Sequence, residues 1–198
     1  MEIKKQILDF TDKPVPDDDD AILIQEPGGL TLRTALAALH KSKIGFFQYG
    51  DLATATVPFA VPGDSVYRAL PNDGEGNSTL DQAPTGMTLL WNVDTDQFDF
   101  SELAIGDMVD IAVNLEITSS SNNQQVALKM VLGIGGTETE LPFDYINHKS
   151  AETFLILRYK GFFIKDANIR DNPAELRIAS DGTADVKILG WYCKITRR

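Results

Sequence analysis

The sequence predicts a mainly β protein, an antiparallel β-sandwich of jelly-roll type, on three observations. Eight β-prone runs fall at 44–49, 65–69, 87–92, 108–118, 125–132, 154–163, 176–179 and 186–195, with clusters of Gly, Asn, Asp, Ser and Pro between them. The run from Met108 to Ile117 alternates without a break: Val109, Ile111, Val113, Leu115 and Ile117 on one face, Asp110, Ala112, Asn114 and Glu116 on the other. That is the period of a half-buried strand. Only one short helical pattern competes, and a jelly roll uses about eight strands in two sheets.

The N-terminal part reads differently, and we divide the chain into an attachment or oligomerisation module, 1–42, and a sandwich body, 43–198. Pro14-Val15-Pro16 followed by four aspartates, Asp17 to Asp20, is extended and self-repelling, the pattern of a linker. Ala21 to Glu26 is a short β-prone run stopped by Pro27-Gly28-Gly29, a turn signal. Thr31 then has the chemistry of an N-cap for a helix from Leu32 to Lys41, with Leu32, Leu36 and Leu39 on one face. The expected module is therefore strand–turn–helix. About three turns with one narrow apolar stripe are not stable alone, so this helix needs a surface to pack on.

In the body, Gly106-Asp107 reads as a tight turn, and Ser119 to Asn123 and Asp181-Gly182 both read as hairpin connections. Residues 71–86 are rich in Gly, Asn, Asp and Ser, and read as a long mobile loop and one candidate contact surface. Phe46–Phe47 and Phe162–Phe163 are adjacent aromatics, which a strand sends to opposite faces. One of each pair then needs a second apolar environment, either a subunit interface or the chain's own loops.

Composition limits the function classes. Apolar residues are 43% of the 198 and charged residues 24%, ordinary globular usage for a soluble chain. The formal net charge of −11, with a pI of about 4.5, opposes binding to nucleic acid or an anionic membrane surface. No apolar run approaches the roughly 20 residues of a membrane-spanning helix. Met1 to Phe10 lacks the apolar core of a secretory signal, so folding in a cytoplasm is expected. The one cysteine, Cys193, permits no internal disulfide and reads as a buried small hydrophobe.

Each pattern that suggests chemistry is incomplete. His40, at the end of the helix pattern, suits a helix C-terminus, and His148 reads as a solvated loop residue; their separation gives no metal spacing. Gly133-Ile134-Gly135-Gly136 has Glu138 where a phosphate-binding glycine belongs, and reads as a β-turn. Asp94-Thr95-Asp96-Gln97-Phe98-Asp99 begins like a calcium loop but places Phe98 and Asp99 at its fifth and sixth positions. Paired carboxylates are unavoidable in so acidic a chain, so a hydrolase is the weakest reading. Asn77-Ser78-Thr79 matches a glycosylation pattern by chance. No catalytic residue, metal ligand or cofactor is assigned.

Two stretches carry a family resemblance. Asp20 to Leu36 resembles an N-terminal module of bacteriophage fibre and head-fibre proteins. Gln97 to Asp107, the strand after it, Asn122-Asn123-Gln124 and the closing Gly190-Trp191-Tyr192 look like the β-sandwich bodies of phage virion surface proteins. The resemblance implies a non-enzymatic structural protein of the virion, a homotrimeric capsid decoration or head-fibre protein. Its partners would be capsid or tail proteins of the same particle. The attachment or oligomer interface would use Ile22, Leu23, Ile24, Leu32, Leu36, Leu39, Phe46 and Phe47. The alternative is a tail-fibre or receptor-binding module that recognises a host surface glycan.

Overall fold

The structure is a computed structural model and describes residues 21–25, 31–35, 43–76 and 78–198. The chain divides into two units, residues 1–40 and 41–198.

In the first unit, β1 (Ala21–Gln25) pairs antiparallel with β2 (Thr31–Ala35), Ile22 opposite Thr34 and Ile24 opposite Leu32. The helix expected from Leu32 is thus a strand through Ala35. The reason lies in backbone pairing: a lone strand leaves a row of unpaired N–H and C=O groups, and the β-branched Thr31 and Thr34 favour the extended partner that satisfies them. The aspartate run, the Pro27-Gly28-Gly29 signal, Leu36, Leu39, His40 and Asn77 lie outside the described residues.

The second unit holds β3 (Ile44–Tyr49), α1 (Ala53–Thr56), β4 (Phe59–Val61), β5 (Arg68–Ala69), β6 (Trp91–Asn92), β7 (Gln97–Phe98), β8 (Met108–Ser119), β9 (Gln124–Leu132), β10 (Thr139–His148), β11 (Thr153–Phe163), α2 (Ala167–Asp171), β12 (Ala174–Ser180) and β13 (Ala184–Thr196). One sheet has the order β11-β8-β13-β3, with β4 also on β13. The other has the order β10-β9-β12-β7-β6, with β5 also on β12. Every resolved pairing is antiparallel. Along the path β3, β7, β8, β9, β10, β11, β12, β13, only β9 and β10 are successive strands of one sheet; every other step crosses between sheets. That alternation is the double Greek key of a jelly roll, so the fold is a mainly β, antiparallel, jelly-roll-like sandwich.

This order corrects two readings. Ser119 to Asn123 and Asp181-Gly182 are not hairpin turns but crossings from one sheet to the other, β8 to β9 and β12 to β13. Local turn chemistry is the same in both cases; what differs is how the next strand packs. The two crossings are tied together at one end of the sandwich. Buried Gln124 donates through Nε2 to Ser180 Oγ at 2.7 Å and Gly182 O at 2.9 Å, and Gln125 N–H donates to Asp181 Oδ1 at 2.7 Å.

Between the sheets the alternating apolar residues of β8 meet those of β9, β12 and β13, and all five predicted for β8 are fully buried. The aromatics set apart in sequence converge here. Trp91 meets Phe98 edge-on at 4.7 Å and Trp191 at 5.9 Å, and Phe100 meets Phe162 at 5.5 Å. Burying each such side chain contributes roughly 1.5–3 kcal/mol. Cys193 is in this core, as expected, and burial pushes its thiol up, away from the thiolate. The glycine run turns as expected, with Gly136 N–H donating to Gly133 O at 3.0 Å.

Residues 71–86 are not a free excursion. Thr79 exchanges backbone hydrogen bonds with Gln48, both 2.9 Å, and Phe46 N–H donates to Gln82 O, so this segment covers the outer edge of β3. Gly45 is needed there: a Cβ would stand 2.3 Å from Pro84 Cδ. The segment is anchored by polar groups that its sequence advertises as surface. Asn72 is buried, and its carbonyl accepts from Trp91 Nε1 at 2.9 Å. Asp51 accepts from Asp73 N–H at 2.9 Å, from Thr54 N–H at 2.8 Å and from the Thr54 hydroxyl. The Thr54 oxygen in turn accepts from Ile188 N–H on β13 at 2.8 Å.

His148 is likewise not a loop residue. It ends β10, stacked on Phe154 with ring centroids 3.3 Å apart, and its Nε2 is buried without a hydrogen-bond partner. Burial pulls its pKa down, and Glu152 opposes that in part.

Candidate binding face

The β11-β8-β13-β3 sheet buries one face against its partner sheet and leaves the other outward. On β11 the alternation puts Leu155, Leu157, Tyr159 and Phe163 outward, and Leu155 is 70% exposed and Phe163 61%. A solvated sheet face ordinarily carries polar residues at such positions. Here the outward residues fall into rows across the strands. Leu155, Glu116 and Lys187 form one row, the last two ion-paired at 2.8 Å. Leu157, Asn114 and Gly190 form the next, then Tyr159, Ala112, Tyr192 and Gln48. Gly161, Asp110, Lys194 and Phe46 follow, and Phe163, Met108, Thr196 and Ile44 come last.

The two rows that contain Asp110 and Ala112 enclose a groove of about 390 Å³. Phe46, Tyr159 and Tyr192 line it, with Gln48, Thr79 and Lys194 at its polar margin. Tyr159 and Tyr192 stand on strands either side of β8, roughly 9–10 Å apart by strand spacing, with only the Ala112 methyl between them. Asp110 is 4% exposed although it points to the outward face, and its Oδ1 has no hydrogen-bond partner. Partial burial first, then the hydrogen bond to the Asp110 carboxylate and its charge, hold the Tyr159 phenol above its ordinary pKa. The groove thus joins aromatic walls to one buried carboxylate.

The residues expected at an interface are distributed unevenly. Phe46 is 53% exposed and lines the groove, whereas Phe47, on the opposite face of β3, is 1% exposed and stacked on Tyr49 in the core. Burial pushes the Tyr49 phenol up to about 12, and its oxygen accepts from the N–H groups of Leu90 and Trp91. Ile22, Leu23, Ile24 and Leu32 belong to the β1–β2 hairpin of the other unit. Sequence reasoning missed Tyr159, Tyr192 and Asp110 as a set. The available signal was the surplus of large apolar residues at both alternating positions of β11.

Among the described residues no group of three or more His, Cys, Asp or Glu is arranged to hold a metal ion. The Asp94–Asp99 stretch runs from the β6–β7 turn through β7, and Asp96 accepts from Asn72 N–H at 3.1 Å. Among the described residues, no helix is long and apolar enough to cross a membrane.

No family model and no curated protein matches the chain. Several solved structures are similar in fold. One is a chain of infectious bursal disease virus, Gx strain, with 11% identity, 93% of this chain and 37% of that chain covered, and a TM-score of 0.41. Eiger TNF from S. frugiperda shares 8% identity over 79% of this chain and 94% of its own, with a TM-score of 0.46. PRD1 vertex protein P5 shares 10% identity over 79% and 98%, with a TM-score of 0.38. The chain therefore spans little more than a third of the infectious bursal disease virus chain.

Proposed function

We propose that this protein is a non-enzymatic structural component of a virus particle, a homotrimeric capsid decoration or head-fibre protein of a bacteriophage. In this reading the N-terminal unit attaches and trimerises, and the sandwich faces outward. The observation that carries it is the outward face of the β11-β8-β13-β3 sheet. The sandwich core is complete without that face, yet Leu155, Leu157, Tyr159, Phe163, Tyr192 and Phe46 remain exposed on it. A contiguous apolar surface of this kind marks contact with another molecule. The jelly roll is also a fold from which particle surfaces are built, an argument by analogy that the phage-like N-terminal stretch makes specific.

Attachment would run through Ile22, Leu23, Ile24, Leu32, Leu36 and Leu39, leaving the outward face of the body free. The test is to image intact particles of the encoding virus with this protein labelled. Density at regular capsid or fibre positions is expected. A protein absent from purified particles, with no affinity for any capsid or tail protein, would overturn the proposal.

A further inference from the structure

β10 and β11 follow one another in the chain yet belong to different sheets, each as the outermost strand of its own. Two side-chain links join them across the open side of the sandwich, at mirrored positions about the 149–152 connection. Arg158 on β11 is ion-paired through Nε with Asp144 on β10. The His148 ring of β10 lies on Phe154 of β11, with centroids 3.3 Å apart. Within its own sheet β10 pairs with β9 alone, and that ladder shifts register between Pro142 and Asp144. Its inward Leu141, Phe143 and Ile146 are only half-buried against the core. A strand held in this way opens at lower cost than the sheet centre.

His148 makes the link sensitive to protons. A charged imidazolium must donate from both ring nitrogens, and Nε2 is buried without a hydrogen-bond partner. The Phe154 face attracts a cation weakly, but an unpaired buried donor and its charge cost more. Among the described residues, the charge that acts on the ring is that of Glu152, which favours the proton and opposes burial in part. Lys149 is next in the chain and exposed. Gln124, the register partner on β9, and Phe154 on β11 are uncharged. So is Ser119 of β8, whose N–H donates to Glu152 O at 3.0 Å.

We propose that the His148–Phe154 stack and the Arg158–Asp144 pair form a pH-sensitive clasp: protonation of His148 releases β10 from β11 and uncovers Leu141, Phe143 and Ile146, while the rest of the sandwich stays folded. Burial holds the folded-state pKa of His148 below the ordinary 6.5, so the clasp is closed above about pH 6.5 and opens as pH falls below it. One proton limits the change in the opening equilibrium to about tenfold per pH unit.

The experiment is amide hydrogen exchange of the full chain at pH 7.5 and 5.5, read by peptide and corrected for the intrinsic rate at each pH. Exchange within residues 139–148 should rise by about threefold or more at pH 5.5, while residues 109–117 at the sheet centre change by less than about 1.5-fold. His148→Phe keeps a stacked ring that does not titrate and should abolish the rise. His148→Gln should do the same, so that failure of one variant to fold leaves the other. Arg158→Met cuts the second link and should speed exchange in 139–148 at both pH values. Equal exchange of 139–148 at the two pH values overturns the proposal, as does a rise kept by both His148 variants. Arg158→Met without effect on 139–148 removes the clasp, and a rise of the same size in 109–117 makes the effect one of the whole fold; either result also overturns it.

Discussion

Gly161 on β11 and Asp110 on β8 are register partners, and the missing side chain of the one is the space occupied by the carboxylate of the other. A Cβ at 161 would come within 2.5 Å of Asp110 Oδ1, closer than real Cβ contacts allow. Gly161→Ala should therefore destabilise the protein by about 1–3 kcal/mol, the usual cost of overpacking. The conflict belongs to the pair, so adding Asp110→Ala should recover most of the loss. Chemical denaturation of the two single variants and the double variant measures the coupling directly.

Asp110→Ala alone should act in the opposite direction. A buried carboxylate oxygen without a partner is a liability to the folded state, and its removal should raise stability by about 1 kcal/mol. For a chain of this size that is a rise in Tm of roughly 2–4 °C. A fall in Tm would mean that Asp110 is satisfied in the protein and that the groove has no unmet acceptor.

Thr54 joins α1 to β13 through one oxygen that donates to Asp51 and accepts from Ile188 N–H. Thr54→Val keeps the shape, leaves the Ile188 N–H without its acceptor in the interior, and removes the hydroxyl bond to Asp51, which keeps the Thr54 and Asp73 N–H groups. A loss of about 2–3 kcal/mol is expected. Asp51 also holds Asp73, so limited proteolysis should show faster cleavage within residues 71–86 in this variant.

His148 sets a pH dependence. Its folded-state pKa lies below the ordinary value of 6.5, so the unfolded chain binds a proton that the folded one resists. The stability it contributes is present above about pH 6.5 and is lost as pH falls below that toward the depressed folded pKa. Glu152 counteracts the effect in part. Melting temperatures across pH 5–8 should decline less on the acid side for His148→Gln than for the unmodified chain.

The legible parts of the fold were those where one strand carried its own pattern. Val109 to Ile117 reads as a half-buried strand and is one, because β8 lies at the centre of its sheet with an apolar face inward. β10 was missed for the converse reason. It is an edge strand, interrupted by Pro142 and a register shift between Pro142 and Asp144, and no residue along it is fully buried. Hairpins were read at Ser119–Asn123 and Asp181-Gly182 because turn chemistry is local, whereas the choice of sheet depends on the whole sandwich. The N-terminal helix pattern at Leu32 yielded to strand pairing with Ile24, a contact that periodicity within one segment does not register.

The groove was legible only at Phe46, where two adjacent aromatics had to take opposite faces. Tyr159, Tyr192 and Asp110 come from three strands far apart in the chain, and no spacing connects them. In sequence Asp110 was one polar residue on the outer side of a strand. Its meaning depends on Tyr159, Lys194 and Gly161 closing around it.

The central claim, that the N-terminal unit assembles copies of this chain while the sandwich keeps its outward face free, is tested most directly by mass in solution. Sedimentation of the full chain at micromolar concentration should give three times the mass of one chain. Replacing Ile22, Ile24 and Leu32 together by serine should reduce it to one, and replacing Leu155, Leu157 and Phe163 should leave it at three. A full chain that sediments as a monomer, or a trimer lost only when the sheet face is altered, would contradict the account.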